Sequence, residues 1–462
     1  MDSFGVRVRP GALSSPDYGD QFVFSPACRF SAVAALAFWS ASLSAEVIHA
    51  APDNYRQMIS RLKPGDTVLL APGVYRQGLW IDGQNGRPGK PITLEGVGGR
   101  TVFAARPGND TIVIQDSSYI TLRKLEIDGR GLMVNGVRAS GRFAHHIVLE
   151  DLLIHNLGRH QQLVGISTKC PAWDWEIRRN TVIGAGTGLY LGNSDGHQPF
   201  WGGVIEHNLI ANTIGYNLQI KHQKPRPRIP GIPLEPRATV IRHNVFSKAA
   251  GGSTGPDARP NVLVGHWPLR GPGESDVYLI YGNFFFENPN EALFQGEGRI
   301  ALYSNLFYSS HGNEFPAVAI QPHNDIPRKV RVFFNTVLHP GTGIRVLPKE
   351  GAGESDQRIA GNAVFAKDPI LGGIQADNLT AAYAAARDYL RSPFETIGRL
   401  SLFPKPGRLE RDRLDQHRFS EFPDLDLDFN GRQRDGRFRG AYSGAGSNPG
   451  WRLAVELKPR VR

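Results

Sequence analysis

Short apolar segments alternate with turn residues along most of the chain. After an amphipathic segment at 53–62, expected to be a short helix, strand-like pieces of about four to six residues are separated by Gly, Pro, Asn and Asp. The piece ITLRKLEIDG is followed by IVLEDLLIHN with the same apolar spacing. Steps of 27, 28 and 28 residues separate the aligned positions Leu125, Leu152, Asn180 and Asn208. A repeat of this length indicates a solenoid.

An asparagine recurs at one place in the repeat. It continues through VIRHNVF, IYGNFFF, LYSNLFY, VFFNTVL and IAGNAVF, with steps of 36, 39, 22, 30 and 27 residues. Loops such as KPRPRIPGIPLEPR account for the long steps. We interpret these residues as a structural ladder at tight bends, because a stacked amide can bond the amides above and below it. They are Asn180, Asn208, Asn244, Asn283, Asn305, Asn335 and Asn362.

The repeat length favours three short strands and their turns in each coil. A β-propeller blade needs about 40 residues, which the steps of 27 and 28 residues disfavour. We therefore predict an all-β fold, a right-handed parallel β-helix of about ten coils over residues 46–375. The helix at 53–62 would cap its first edge, and residues 376–462 would pack on the body as a C-terminal cap.

Several segments resemble a known group of proteins. LKPGDTVLLAPGVY, ITLEGVGG, ITLRKLEIDG and the asparagine coils are similar to the pectate-lyase-like superfamily of right-handed parallel β-helices, over about residues 53–370. The resemblance implies the fold. It leaves the chemistry open, because that superfamily includes polysaccharide lyases, hydrolases, epimerases and non-catalytic adhesins.

The N-terminal region has the features of an export signal. The apolar run at 30–44 follows Arg29, ends in small residues and is short for a membrane span. We predict that residues 1–45 are a signal peptide with a dispensable leader. The processed protein would then be secreted or periplasmic, without an integral membrane segment. Its charge of +10 suits an acidic polysaccharide as partner better than a nucleic acid in that compartment.

Polar residues concentrate beside the longest insertions, at 193–274. In GYNLQIKHQ, strand alternation points the leucine and isoleucine inward and would turn Asn217, Gln219 and Lys221 outward. Coils stack at about 4.8 Å, which would bring these side chains together with others from neighbouring coils. The other predicted members of this surface are Asn193, Asp195, His222, His266, Gln295, Glu297 and His323.

This surface has the residue types of a β-elimination lyase for a uronate-containing polysaccharide. The C5 proton of a uronate becomes acidic when its carboxylate is neutralised, and elimination needs a base at C5 and an acid at the glycosidic oxygen. Lys221 is the candidate base, because basic neighbours lower the pKa of a lysine from about 10.4. Arg242 or His266 would neutralise the carboxylate or donate the proton, and the remaining residues would bind the sugar.

A narrower resemblance concerns the catalytic pair. Lys221 and Arg242 are similar in spacing to the lysine and arginine on successive coils of β-helical lyases that act on alginate or chondroitin-type chains. Those enzymes place calcium-binding carboxylates just before the lysine, where this chain has Ile214 and Tyr216. The usual calcium ligands are therefore not seen, and no cofactor is firmly implied. The scattered histidines give no zinc pattern either.

Two other functions remain open. The segment NSDG at 193–196 resembles the NTDG element of polygalacturonases, although it is also a common turn sequence. A glycoside hydrolase of that type would need two carboxylates, such as Asp195 with Glu206 or Glu297. A non-catalytic polysaccharide-binding β-helix is the third class. Its candidate stacking rings are Trp173, Trp175, Phe200, Trp201 and Trp267.

Overall fold

The computed structural model describes residues 45–323, 327–347 and 356–460. The predicted export segment, residues 1–45, lies outside these ranges apart from its last residue. Most strands pair in parallel with the strand one coil away, so the predicted all-β parallel coil is confirmed. An antiparallel pair, Leu390–Ser392 with Ser401–Pro404, lies in the C-terminal segment.

Each coil passes through three parallel ladders, which we number 1 to 3 in chain order. One coil, for example, runs through Thr67–Leu70, Gly73–Tyr75 and Leu79–Asp82. Two long strands, Ile112–Arg123 and Val137–Glu150, begin in ladder 3 and continue into ladder 1 of the next coil.

The remaining strands divide among the ladders as follows. Ladder 1 also contains Val47–Ala50, Ile92–Gly96, Glu176–Arg178, Val204–Glu206, Ala238–Arg242, Val277–Tyr281, Ile300–Tyr303, Lys329–Phe333, Asp356–Ala360 and Ile374–Ala376. Ladder 2 also contains Thr101–Ala104, Glu126–Asp128, Leu153–Leu157, Thr181–Ala185, Leu209–Ala211, Val245–Ser247, Phe284–Phe286, Leu306–Tyr308, Thr336–Leu338, Ala363–Phe365 and Leu379–Ala381. Ladder 3 also contains Val164–Thr168, Thr187–Leu191, Leu218–Ile220, Val262–Val264, Phe294–Gly296, Val318–Ile320, Thr342–Val346 and Asp368–Gly372. Two short strands, Ala172–Trp173 and Phe200–Trp201, pair with each other at a corner.

Helical segments are short in the part of the chain that the structure describes. The α-helices are Tyr55–Ile59 and Ala386–Tyr389, and the 3₁₀ turns are Gly255–Asp257, Tyr383–Ala385 and Gln416–Phe419. Tyr55 and Ile59 turn their side chains into the core. Among the described residues, no helix has the length and apolar character that a membrane span requires.

The core consists of columns of apolar side chains along the axis. Parallel pairing without a register shift places equivalent residues of successive coils side by side, so each apolar position in the repeat becomes one column. One column in ladder 1 is completely buried, and each such side chain contributes about 1.5–3 kcal/mol of burial free energy. Its members are Ile205, Ile241, Ile280, Leu302, Val332 and Ile359.

The predicted asparagine ladder is confirmed. The side-chain oxygen of Asn208 accepts from both the backbone N–H and the side-chain amide of Asn180, at 2.9 and 3.0 Å. The same pair of bonds recurs through the predicted residues and continues from Asn362 to Asn378. The residue before each ladder asparagine turns the chain, with a positive φ at positions such as Arg179 (φ 60) and His207 (φ 53). The amides therefore satisfy backbone groups at a left-handed bend that would otherwise be buried without partners.

The C-terminal segment, residues 382–460, packs along the outside of ladders 1 and 2. Phe403 and Tyr442 join a buried cluster with outward residues of ladder 2 such as Leu338. Phe419 stacks on Phe333 of ladder 1 at 4.2 Å between ring centroids. These contacts cover ladders 1 and 2 over the later coils.

Candidate functional site

The outward side chains of ladder 3 form two parallel columns on one face. Strand register places the first column in the order Ser167, Tyr190, Gln219, Leu263 and Gln295. Two residues further along each coil, at the end of the strand, a second column follows. Its members are Lys169, Gly192, Lys221, Gly265 and Glu297.

A small cleft opens between these columns and the turn that follows them. Its cavity has a volume of ≈ 70 Å³. We call it the lysine cleft and define it by the residues that line it. They are Tyr216, Gln219, Lys221, His222, Leu263, Val264, Gly265, Gln295, Gly296, Glu297 and His323. The structure thus brings together six of the predicted surface residues from three coils, as the sequence pattern had indicated.

Two glycines make room for the lysine side chains in the second column. A Cβ atom at Gly265 would lie 2.3 Å from the backbone nitrogen of His222, so only glycine fits there. At Gly192, which has a φ of +86°, a Cβ atom would lie 3.4 Å from the Cβ atom of Lys221. Lys221 is therefore flanked on both sides by coils that lack a side chain at its level.

Burial changes the acid–base properties of both lysines. It lowers the pKa of Lys221, and the positive charge of Arg259 lowers it further. Burial, followed by the charges of Arg138 and Lys221, lowers the pKa of Lys169 to about 8. The ammonium nitrogen of Lys169 lies 3.6 Å from the ring centroid of Tyr190, which favours its charged form. Both lysines therefore give up their protons more readily than an exposed lysine does, and the larger shift is that of Lys169.

Two histidine rings stack at the end of the cleft. His222 and His266 lie 5.4 Å apart between ring centroids, at 21°. Burial, and then the neighbouring His266, lower the pKa of His222. Within the described residues its buried Nδ1 has no hydrogen-bond partner. His266 Nδ1 lies 2.9 Å from the carbonyl oxygen of Trp267, which can only accept, so Nδ1 of His266 carries a proton.

Two predicted substrate-binding residues lie in the loop beside the cleft. Asn193 donates from its side-chain amide to Gln198, at 2.8 Å. The carboxylate of Asp195 accepts from the backbone N–H of His197, at 2.9 Å, which is the hydrogen bond of an ordinary turn. At the opposite end, a carboxylate oxygen of Glu297 accepts from the backbone N–H of His323.

The prediction that Asn217 faces outward is wrong. Its side chain is fully buried and donates to the hydroxyl of Thr213 and to the carbonyl of Ser247. Asn217 precedes the strand Leu218–Ile220, so strand alternation does not apply to it. It is a turn residue inside the coil and cannot contact a polysaccharide.

The pairing of Arg242 with Lys221 is also wrong. Arg242 ends a strand of ladder 1, whereas Lys221 follows a strand of ladder 3. Arg242 instead pairs with Glu206 at 2.7 Å and donates to Tyr281 at 2.9 Å. Position within the coil, and not distance along the chain, decides which face a residue occupies. The same contact removes Glu206 as a carboxylate partner for Asp195.

The rings proposed for stacking on sugars are not accessible. Trp175, Phe200 and Trp201 are completely buried, while Trp173 and Trp267 are 4% and 2% exposed. They pack within corners of the coil, as in the 5.3 Å stack of Trp173 on Trp201. The aromatic binding surface considered for a non-catalytic module is therefore not present in these residues.

The residues near Lys221 do not fit the calcium site that the narrower resemblance implied. Tyr216 lines the lysine cleft as a neutral phenol, whose pKa burial raises further above its usual value, and so supplies no carboxylate ligand. Across the described ranges, no three His, Cys, Asp or Glu side chains group as ligands for a metal ion. We assign no step to calcium.

Three basic residues of the site were missed from the sequence. Lys169 could have been found by aligning GISTK with NLQIK, because the two lysines occupy the same place in the coil. Arg138 precedes Lys169 by one coil and lies in register with Ser167. Arg259 acts on Lys221 through its charge, from the long loop that contains the 3₁₀ turn Gly255–Asp257, and no repeat pattern indicates its direction.

The likeness of this chain to known proteins is a likeness of fold. No protein-family model and no curated protein sequence matches the chain. The chain folds as a parallel β-helix, as the pectate-lyase-like resemblance implied. Similar solved structures include pectate lyase Pel9A, with 14% identity over 90% of this chain and 98% of that chain and a TM-score of 0.45.

Two other similar structures illustrate the range of chemistry. An alginate lyase from Paenibacillus sp. str. FPU-7 has 15% identity over 72% of this chain and 95% of that chain, with a TM-score of 0.39. A GH136 lacto-N-biosidase from Eubacterium ramulus has 11% identity over 73% of this chain and 68% of that chain, with a TM-score of 0.44. Likeness at this level concerns the backbone, so function has to be inferred from the side chains of this protein.

Proposed function

We propose that the lysine cleft, together with Lys169 of the same column, is the active site of a polysaccharide lyase that cleaves a uronate-containing chain by β-elimination. The observation that carries this proposal is the column Lys169–Gly192–Lys221. It places two lysines of lowered pKa on one face, two coils apart, with a glycine at the position between them. A hydrolase would need a pair of carboxylates instead, and within the lining of the cleft the acidic residue is Glu297.

The two lysines suit different steps of an elimination. Lys169, with Arg138 beside it, would hold the substrate carboxylate and so make the C5 proton more acidic. Lys221, whose burial stabilises its neutral form, would take that proton. The electron pair of the broken C5–H bond forms the C4–C5 double bond as the bond from C4 to the glycosidic oxygen breaks.

The leaving oxygen and the sugar hydroxyls need partners on the same face. His266 keeps a proton on Nδ1, so in its imidazolium form Nε2 can supply the proton that the leaving oxygen takes up. Gln295 is half-buried in the first column and would bind hydroxyl groups, whereas Gln219 is only 4% exposed and would contribute little. Gln295 was predicted for this role from the sequence, whereas the buried Asn217 has no part in it.

The proposal also includes export of the protein and protection of the exposed edges of the solenoid. The apolar run at 30–44 supports a secreted or periplasmic protein, where acidic polysaccharides are available and a charge of +10 would attract them. The helix Tyr55–Ile59 would cap the first edge of about ten coils. Residues 382–460 would protect the later ones.

Absorbance of the new double bond provides the test. Alginate, pectate and glycosaminoglycans are incubated with the wild-type protein, with Lys221→Ala and with the control Lys63→Ala. Lys63 is an exposed lysine of the first coils. We expect new ultraviolet absorbance with at least one polyuronate, a loss of at least about 100-fold in Lys221→Ala, and wild-type rates in Lys63→Ala. The rate should fall as the pH rises through about 8, because Lys169, whose pKa is lowered to about 8, then loses the charge that would hold the substrate carboxylate.

Other outcomes would replace the proposal. Reducing ends without absorbance would indicate a hydrolase, and retention of the polymer without cleavage would indicate a binding protein. Full activity in Lys221→Ala would remove Lys221 as the base. Melting temperatures of all three proteins, measured in parallel, separate a catalytic defect from a folding defect.

A further inference from the structure

A second and larger cavity lies on another side of the coil. It has a volume of ≈ 460 Å³ and is bounded by ladder 1 and the C-terminal segment. This volume falls in the range of about 300–1,000 Å³ that is typical of small-ligand sites. Ladder 1 contributes Glu206, Arg242 and Tyr281, while Asp424 and Leu427 come from the C-terminal segment. We call it the ladder 1 pocket.

The polar wall of this pocket is held rigid by its own hydrogen bonds. Arg242 donates to Glu206 at 2.7 Å and to the hydroxyl of Tyr281 at 2.9 Å. The hydroxyl of Tyr281 donates in turn to Asp424 at 2.8 Å, which ties ladder 1 to the C-terminal segment. Each carboxylate keeps a second oxygen, so acceptors remain beside the fixed guanidinium.

Two histidines on the pocket wall are held in defined states by one buried residue. His207 Nδ1 lies 3.0 Å from the carbonyl oxygen of Lys458, so Nδ1 carries the proton and Nε2 is an acceptor. The ammonium group of Lys458 donates to the carbonyls of Gly282 and Phe429, both at 2.8 Å, and lies 3.4 Å from His243 Nδ1. The two rings are 5.0 Å apart between centroids.

The charges of the pocket select against an acidic sugar. Glu206, Asp424 and Asp428 line the cavity against Arg242 and Arg460, so the carboxylate of a uronate would meet more negative than positive groups there. A neutral sugar fits better, because each hydroxyl both donates and accepts, and this wall holds fixed donors and acceptors side by side. Leu427 offers an apolar contact for the C–H groups of a ring.

We propose that the ladder 1 pocket binds a neutral sugar residue and is a second carbohydrate site of the protein. It lies on a different ladder from the lysine cleft and uses none of the residues of that cleft. The two sites together suit a polymer in which uronates and neutral sugars both occur. The pocket does not depend on elimination at the lysine cleft, so either proposal can fail without the other.

Titration calorimetry with defined trisaccharides tests the second site. The probes are neutral trisaccharides of glucose, mannose, galactose or xylose, with a triuronate for comparison. Leu427 is a half-buried residue of the pocket wall, and the larger side chain of Leu427→Trp would fill the cavity. Asp424→Asn removes the negative charge of an acceptor without a change of size. Lys221→Ala is the control for the other face.

The expected result is binding of at least one neutral trisaccharide to the wild type, weakened at least tenfold in Leu427→Trp and in Asp424→Asn. The same binding should be unchanged in Lys221→Ala, while triuronate binding should respond to Lys221→Ala alone. No binding of any neutral probe would overturn the proposal. Equal binding in the wild type and Leu427→Trp, or preferential binding of the triuronate in this pocket, would overturn it as well.

Discussion

The outer faces of ladders 1 and 3 are built from the same kinds of short strand and turn, yet their surfaces differ. On ladder 1, the outward column alternates Glu150, Arg178, Glu206 and Arg242, and then continues as the rings of Tyr281, Tyr303 and Phe333. The charges pair with one another, and the C-terminal segment covers the rings. On ladder 3, Lys169 and Lys221 have no carboxylate at the intervening position, which is Gly192.

This difference shows how a solenoid separates stability from chemistry. Pairing and covering satisfy most groups of ladder 1, so outside the ladder 1 pocket they have no capacity left for a ligand. A face with an excess of one charge is costly to bury, and it remains able to bind a substrate of opposite charge. We therefore expect mutations of the covered rings on ladder 1 to affect folding and mutations on ladder 3 to affect cleavage of the polyuronate.

Removing a covered ring should have the largest effect on stability. Phe333 is fully buried and stacks on Tyr303 at 4.7 Å and on Phe419 at 4.2 Å between centroids. We expect Phe333→Ala to lower the free energy of unfolding by about 3–5 kcal/mol, because it leaves a cavity beneath the C-terminal segment. Denaturant titration followed by tryptophan fluorescence measures the loss.

The matched control lies in the outward column of ladder 3. Leu371 is 42% exposed there and in register with Arg345. Leu371→Ala should change the free energy of unfolding by less than about 0.5 kcal/mol. Equal losses in the two variants would mean that the covered and open faces do not differ as described.

A smaller effect is expected from a glycine on the open face. The methyl group of Gly265→Ala would lie 2.3 Å from the backbone nitrogen of His222, so the two coils must separate. We expect a loss of about 1–3 kcal/mol of unfolding free energy, with weaker cleavage of polyuronate because Lys221 and Glu297 move apart. Thermal melting and the absorbance assay measure the two effects.

Gly312→Ala controls for the loss of a glycine as such. A Cβ atom there would lie 3.5 Å from Pro340 as its nearest neighbour, which is ordinary contact. Melting temperature and activity should stay close to those of the wild type. If Gly265→Ala behaved in the same way, close packing between those coils would not shape the cleft.

The sequence predicted features that repeat and failed where the repeat is interrupted. The asparagine ladder and the set Gln219, Lys221, Gln295 and Glu297 follow from period and strand alternation, which are local properties of the chain. Arg242 was misplaced because nearness in sequence was taken as nearness on one face, although the chain passes from ladder 3 to ladder 1 between Lys221 and Arg242. Asn217 was misplaced because alternation was extended back beyond the start of a strand.

The remaining parts depend on contacts that no repeat encodes. The covering of ladder 1 by Phe419 and the approach of Arg259 to Lys221 both involve irregular segments whose path is set by packing. The ladder 1 pocket also depends on an irregular segment, because Lys458 of the C-terminal segment contacts His243 and Gly282 of its wall. Sequence patterns indicated that these segments would pack, but not where.

Lysine labelling with and without polymer tests most directly whether ladder 3 is the substrate face. The protein is acetylated at pH 8 in the presence and absence of alginate or pectate, and each lysine is quantified by mass spectrometry. We expect the polymer to suppress labelling of Lys169 and Lys221 several-fold and to leave the exposed Lys63 unchanged. Equal labelling of Lys169 and Lys221 in both samples, with a polymer that the protein is shown to cleave, would contradict the assignment of ladder 3.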